Sequence, residues 1–251
     1  HINCRTFTGS GSLNASGSPP SSGNGGGGGR IAVIYDPASQ ALTNAPTGIF
    51  STVGTPGLGS YGLPGDVGTL YFPDNAFLYE MFAHSGQWSV PSFSAWSPTN
   101  LFISNGWLRL TQGGFQLTAV NSITVRGGST ITNKLELNSD LVTCGGDLFI
   151  SNATLRITNS AWSRSVLACG GNLTVSKSGI LYVSATPTNA SVPDYGGLVS
   201  VTGDLTIANS GSLYSRAAYS TNGGVHLFRM SNLVIEAGGL LNADGQGYVG
   251  G

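Results

Sequence analysis

From residue 100 onward, apolar side chains alternate with polar ones in short runs, and the runs recur as a phrase. The phrase beginning at Asn100 reads NLFISNGWLRLTQ, and that at Asp147 reads DLFISNATLRITN. Asn172 begins NLTVSKSGILYVS, Asp204 begins DLTIANSGSLYSR, and Asn232 begins NLVIEAGGLLNAD. A weaker copy, SITVRGGSTITNK, begins at Ser122. Consecutive starts are 22, 25, 25, 32 and 28 residues apart. In the Asp147 copy Leu148 and Ile150 alternate, a small turn follows near Asn152, and Leu155 and Ile157 alternate again. Period-two alternation marks a strand with one buried face. No stretch carries helical periodicity with caps. Short strands repeating at about 25 residues, joined by Gly, Asn and Ser, predict an all-β chain: a right-handed parallel β-helix, or β-solenoid. One coil cannot bury its own inward side chains. Stacked about 4.8 Å apart, coils would bury Leu over Leu and Ile over Val.

A third strand is predicted upstream of three phrases, in LVTCGGD, VLACGGN and LVSVTGD. Cys144, Cys169 and Val201 stand three residues before Asp147, Asn172 and Asp204, so stacking would place them in one row. Cys144 and Cys169 would then lie within the Cα separation that a disulfide permits. They are either bonded or two buried thiols acting as small hydrophobes. Cys4 has no partner by this count.

The first 99 residues follow different rules and form a separate Gly-rich segment, packed on or continuing the solenoid of 100–251. Residues 9–29 are rich in Gly and Ser and end in five consecutive glycines before RIAVIYD, a predicted strand from Ile31 to Tyr35. A phosphate-cradling loop would need a following Lys-Ser/Thr and a helix, and neither is present. The glycines are therefore expected to provide a side-chain-free crossing against neighbouring backbone. Successive turns in 46–69 lead to a strand from Thr69 to Phe72. Eight of the 23 aromatic residues then fall between Tyr71 and Trp96: Tyr71, Phe72, Phe77, Tyr79, Phe82, Trp88, Phe93 and Trp96. They predict a segment that closes the flank of the solenoid, or else an exposed patch that binds carbohydrate or another subunit.

Composition adds to this picture. Only 8% of residues are charged, against about 25% in an ordinary soluble domain. The 40% apolar content provides for a core, and a formal charge of −1 gives no basis for binding nucleic acid. A weakly charged coat of Ser, Thr and Asn favours association. No apolar run approaches the roughly 18 residues of a membrane span. The opening His-Ile-Asn-Cys lacks a leader, so a mature product or a piece of something longer is expected. The two ends resemble each other: TFTGSGSLNASG from Thr6 matches VIEAGGLLNADG from Val234. Matching end coils suggest a stack that continues into a neighbour, and the tail GQGYVGG reads as continuing solenoid.

A β-helix can also carry polysaccharide lyase or hydrolase chemistry, which needs converging carboxylates. Asp147 and Asp204 occupy the phrase position held elsewhere by Asn100, Asn172 and Asn232, which makes them members of an Asn/Asp ladder. Asp36, Asp66 and Asp74 sit in turns. Glu80, Glu136, Asp140, Asp194, Glu236 and Asp244 form no local cluster. His1, His84 and His226 are isolated, without metal-ligand spacing. No catalytic, cofactor-binding or metal-binding residue is assigned, and the chain is read as a non-enzyme that needs no cofactor. Asn-x-Ser/Thr triplets at Asn14, Asn152, Asn172 and Asn189 carry no weight in a chain this rich in those residues. The insertion 187–197, with Asp194 and Tyr195, is the best local candidate for a ligand contact, against the plain alternative of a surface loop.

The combination of GSGSLNASG, GGGGGRIAVIYD, GDVGTLYF and the repeated phrase resembles very large, Gly-rich, secreted bacterial repeat proteins of adhesin-like or β-helix type. That resemblance implies secretion and architecture, and no established activity. The expectation is an extracellular structural protein that assembles with copies of itself into a fibre, filament or surface layer. The alternatives are a carbohydrate-binding or polysaccharide-degrading β-helix, and a monomeric adhesin or passenger fragment.

Overall fold

The structure is a computed structural model describing residues 1–59, 62–128, 133–159, 163–188, 195–218 and 223–245. The chain is all-β, with one four-residue helix among the described residues, Pro37–Gln40, capped by Asp36. No described helix is long and apolar enough to cross a membrane. The strands form a 7-stranded and a 16-stranded sheet. Every pairing between named strands is parallel. In the smaller sheet Met81–Phe82, Asn100–Ser104, Ser122–Arg126, Leu148–Ser151, Leu173–Ser176, Asp204–Ile207 and Asn232–Ile235 pair in chain order. The register joins like positions of successive phrases: Leu101 to Ile123, Ile123 to Leu148, then Leu173, Leu205 and Leu233.

The larger sheet carries two further rows. One runs through Trp107–Ala119, Lys134–Cys144, Thr154–Thr158, Ile180–Ala185, Ser212–Ala217 and Leu240–Asn242. The other leaves Lys134–Cys144 and continues through Ser165–Cys169, Gly197–Val201 and His226–Arg229. This is the strand predicted upstream of each phrase, and its register pairs Cys144 with Cys169 and Cys169 with Val201. The alternating residues of all three rows point into one core. Leu148, Ile150, Leu155, Ile157 and Leu167 are fully buried, and so are Leu173, Val175, Leu181, Val183 and Val199 one repeat later. Each such side chain contributes about 1.5–3 kcal/mol by leaving water.

The weak copy at Ser122 departs from its sequence reading. Its second strand begins only at Lys134, the last residue of the motif, and runs without interruption into the third strand at Leu141–Cys144. Trp107–Ala119 does the same, with register irregularities between Leu110 and Gln116. In later repeats the two strands separate, and the connecting corner lengthens from 159–164 to 186–196. The longer spacings of 32 and 28 residues arise mostly between those two strands, whereas the step from 22 to 25 arises between Arg126 and Lys134.

Sheet pairing continues into the first 99 residues. Arg30–Ile34 pairs with Ile2–Asn3 and Thr69–Tyr71, and Ser85–Ser89 pairs with Trp107–Arg109. Between these strands the Gly-rich segments stack backbone on backbone outside any strand. Gly28 donates to the Asp66 carbonyl at 2.8 Å, Gly68 to Thr52 at 2.7 Å, and Gly25 to Leu63 at 2.8 Å. A Cβ on Gly28 would lie 1.7 Å from the Thr52 oxygen, and one on Gly68 would lie 1.8 Å from the Gly29 oxygen. Only a residue without a side chain fits that approach, as expected from the five-glycine run.

The aromatic segment forms core. Phe72, Phe77, Phe82 and Trp88 are buried and pack with Phe50 and His84, the Phe50 and Phe72 rings 5.3 Å apart. Their polar ends are satisfied internally: Trp88 Nε1 donates to Asn75 at 3.0 Å, and Tyr79 Oη donates to the Pro46 carbonyl at 3.0 Å. The buried four therefore form no part of an exposed platform, whereas Tyr71, Tyr79, Phe93 and Trp96 are half-buried. Apolar rings gain more by packing on one another in the core than by facing water.

Candidate functional site

The outward positions of the repeats carry the polar chemistry, arranged as rows along the stack. The first is the Asn/Asp ladder at the phrase starts. Asp147 Oδ1 accepts the Asn172 N–H at 2.7 Å, and Asn172 Oδ1 accepts the Asp204 N–H at 3.0 Å. Asp204 Oδ1 accepts from Asn232 Nδ2 at 2.7 Å. Each side chain thus satisfies a group on the following coil. On a preceding coil Glu80 acts similarly, accepting from Thr99 N–H at 2.6 Å and Asn100 N–H at 3.1 Å. These backbone donors hold its carboxyl below the usual range. Of the two acids predicted as ladder members, Asp147 accepts a backbone N–H and Asp204 a side-chain amide, and Glu80 joins them.

The second row is the outward position of the second strand, where register aligns Arg109, Glu136, Arg156, Tyr182 and Tyr214. Glu136 Oε2 accepts from Arg109 Nε and from Trp107 Nε1, both at 2.7 Å, and Arg156 Nε stands 3.8 Å from Oε1. Arg109 also grips Asp66 with both terminal nitrogens, each at 2.7 Å. Tyr182 and Tyr214 stack with centroids 5.0 Å apart. The guanidinium of Arg156 lies 4.9 Å from the Tyr182 ring, and that of Arg216 lies 4.5 Å from it. Lys134 Nζ sits 3.7 Å from the centre of the Trp107 ring. A cleft of about 180 Å³ opens here, lined by Arg109, Thr111, Glu136, Asn138, Arg156 and Thr158.

Electrostatics follow from this packing. Hydrogen bonds from Arg109 lower the Asp66 carboxyl against the opposing effect of burial. Burial would lower Arg109, but Asp66 and Glu136 outweigh it and the net shift is upward. Burial lowers Lys134, partly offset by the Glu136 charge. A general acid needs a carboxyl held above the ordinary range, and Asp66 is moved the other way. By residue order Asp66 is a turn residue and Glu136 is unclustered. Folding brings them to one guanidinium, and the signal in the sequence is the shared middle position of LRL, LEL and LRI.

A broader polar groove of about 700 Å³ follows the turns between the first and second strands, lined by Arg126, Lys177 and several Ser and Asn residues. Asn105, Asn152, Lys177, Ser178 and Ser210 on its wall have positive φ. Here a sharp corner recurs in the Asn100, Asp147, Asn172 and Asp204 repeats, and Asn152 Nδ2 donates to the Gly127 carbonyl at 2.9 Å.

Of the insertion 187–197, Asn189 and Asp194 lie outside the described residues, and so do 246–251 of the tail. Tyr195 is half-buried, with Arg164 5.8 Å from its ring centre. His84 is buried and accepts the Phe50 N–H at Nδ1 at 3.2 Å, and burial pushes its pKa down to about 4. His226 lies against the Val183 carbonyl at 2.9 Å and is lowered by burial as well. Among the described residues no three of His, Cys, Asp and Glu converge closely enough to hold a metal ion. Compared with protein-family models, with curated proteins and with solved structures, the chain matches none.

Proposed function

We propose that the chain is a right-handed parallel β-solenoid serving outside the cell as a structural subunit, joined end to end with copies of itself in a fibre, filament or surface layer. The observation that carries this reading is the coil at 232–242. Its inward positions Leu233, Ile235 and Leu241 are 46%, 46% and 37% exposed, whereas Leu205, Ile207 and Leu213 in the same rows are fully buried. Among the described residues, no strand pairs with the far side of Asn232–Ile235 or Leu240–Asn242. An unpaired edge beside exposed core is a template for another strand. The likeness of the two chain ends extends to their turns. Asn14 Oδ1 accepts the Ser16 N–H at 2.8 Å, and Asn242 Oδ1 accepts the Asp244 N–H at 2.7 Å. A net charge of −1 offers little repulsion between copies.

The test is light scattering and electron microscopy across protein and salt concentration, on the wild type and on Ile235→Lys/Leu241→Lys. The reading expects concentration-dependent end-to-end assemblies that the double variant abolishes while its circular dichroism stays unchanged. Wild-type monomers at every concentration and salt would overturn it.

A second reading, binding of a carboxylate-bearing polysaccharide, is favoured by Arg156 and Arg216 flanking Tyr182 beside the 180 Å³ cleft. Among the described residues Arg216 is within ion-pair distance of no carboxylate. Calorimetric titration with polygalacturonate, against a neutral glucan, expects heat only with the acidic polymer and its loss in Arg156→Gln/Arg216→Gln. No difference between the two polymers would remove this reading.

A further inference from the structure

The two buried thiols of the third row have a geometry that the ladder alone does not require. Cys144 and Cys169 are direct register partners on adjacent parallel strands. Such strands lie about 4.8 Å apart, within the roughly 4.4–6.8 Å Cα separation of disulfides. Both side chains face the core, 4% and 3% exposed, and their sulfurs converge. Cys144 Sγ lies 3.5 Å and Cys169 Sγ 3.0 Å from the same acceptor, the Gly146 carbonyl oxygen. Interaction between the two thiols raises Cys144 and lowers Cys169. A thiolate near neutral pH is the attacking species in disulfide exchange. Ala119 and Val201 occupy the row on either side, so no third sulfur competes there. Cys4 sits at the other end of the chain, its sulfur 3.8 Å from the Ile34 carbonyl.

We infer that Cys144 and Cys169 are a covalent modification site, a cross-coil disulfide that closes on exposure to a small disulfide oxidant and locks adjacent repeats in register. Cys169 thiolate attacks one sulfur of oxidised glutathione, forming a mixed disulfide and releasing one glutathione thiolate. Cys144 then loses its proton, and its thiolate attacks Cys169 Sγ and expels the second glutathione. The two protein thiols give up two protons and two electrons, and the oxidant leaves as two thiols. Each cysteine ends its strand beside an exposed glycine, Gly145 or Gly170, so access requires only local opening of that corner. The closed loop spans 25 residues, long enough for the link to restrict the unfolded chain appreciably.

The inference is independent of end-to-end assembly, and its outcome is read equally well on monomer. Fully reduced protein is treated with oxidised glutathione, both folded and during refolding, then denatured for thiol counting and mapped by proteolysis and mass spectrometry. The expected result is a fall from three free thiols to one, a 144–169 linkage, and a raised urea midpoint that returns to the starting value with reductant. Cys4→Ser should close the same link, leaving no free thiol. Cys144→Ala/Cys169→Ala should fold and show no oxidant-dependent midpoint. Three thiols surviving both treatments, a stable glutathione adduct without closure, a linkage to Cys4, or a midpoint lowered by closure would each overturn the assignment.

Discussion

The repeats after residue 100 and the Gly-rich segments before it stack in parallel by opposite means. In the repeats, side chains hold the coils together: Leu155 sits over Leu181, Ile157 over Val183, and an Asn/Asp ladder ties each coil to the next. In the first half, Gly28 and Gly68 touch backbone directly, and their carbonyl and amide groups pair with no side chain between them. The first design tolerates change of shape but loses energy with every methyl group removed. The second loses nothing to truncation and cannot accept an added atom.

Substitutions at matched positions should therefore fail in opposite directions. The largest effect is expected at Gly28→Ala, whose Cβ would stand 1.7 Å from the Thr52 oxygen. No rotamer relieves a Cβ clash, so the cost should reach at least the roughly 3 kcal/mol top of the overpacking range. Urea unfolding of this variant should show loss of cooperativity or of the first half; a wild-type transition would refute backbone-on-backbone packing. Leu155→Ala leaves a cavity in the side-chain ladder and should cost about 2–5 kcal/mol, with the parallel-sheet circular dichroism retained.

A third effect separates the aromatic core of the first half from the repeats. His84 has a folded pKa of about 4 against 6.5 ordinarily, because burial disfavours its charge. The unfolded chain takes up that proton first as pH falls. Stability from the neutral ring is thus complete above pH 6.5 and is lost between 6.5 and about 4, on the order of 3 kcal/mol at most. His226 is lowered by burial too and acts in the same direction. Urea midpoints at pH 7, 5.5 and 4 should fall in the wild type, and His84→Gln should reduce the slope without abolishing it. An unchanged slope in that variant would mean the aromatic core admits water.

The smallest effect concerns the ladder itself. Asp147→Ala removes the acceptor of the Asn172 amide and should cost about 1 kcal/mol. Asp147→Asn should be nearly neutral, since Asn172 does the same work for Asp204. If Asn were as damaging as Ala, the carboxylate would have a role beyond the ladder.

Much of this was legible from residue order. Alternation of Leu148, Ile150, Leu155 and Ile157 is enough to assign an inward face, and the recurrence of the phrase sets which residues pair. Counting back three positions from each phrase places Cys144, Cys169 and Val201 in one row. The Ser122 copy misaligns because its second strand begins only at Lys134, the last residue of the motif. That offset hides Glu136 from the row of Arg109 and Arg156, and with it the charged cluster.

What the sequence alone determined is the period: which side chains face inward, which residues sit over one another, and that the five-glycine run admits no side chains. These follow from local alternation and steric size. Only the tertiary structure decided that Asp66 and Glu136 share Arg109, that Phe72 and Trp88 lie in the core, and that two thiols meet at one carbonyl. These depend on corner lengths between strands, and corners carry no periodic signal because water, not a packed neighbour, solvates most of their side chains.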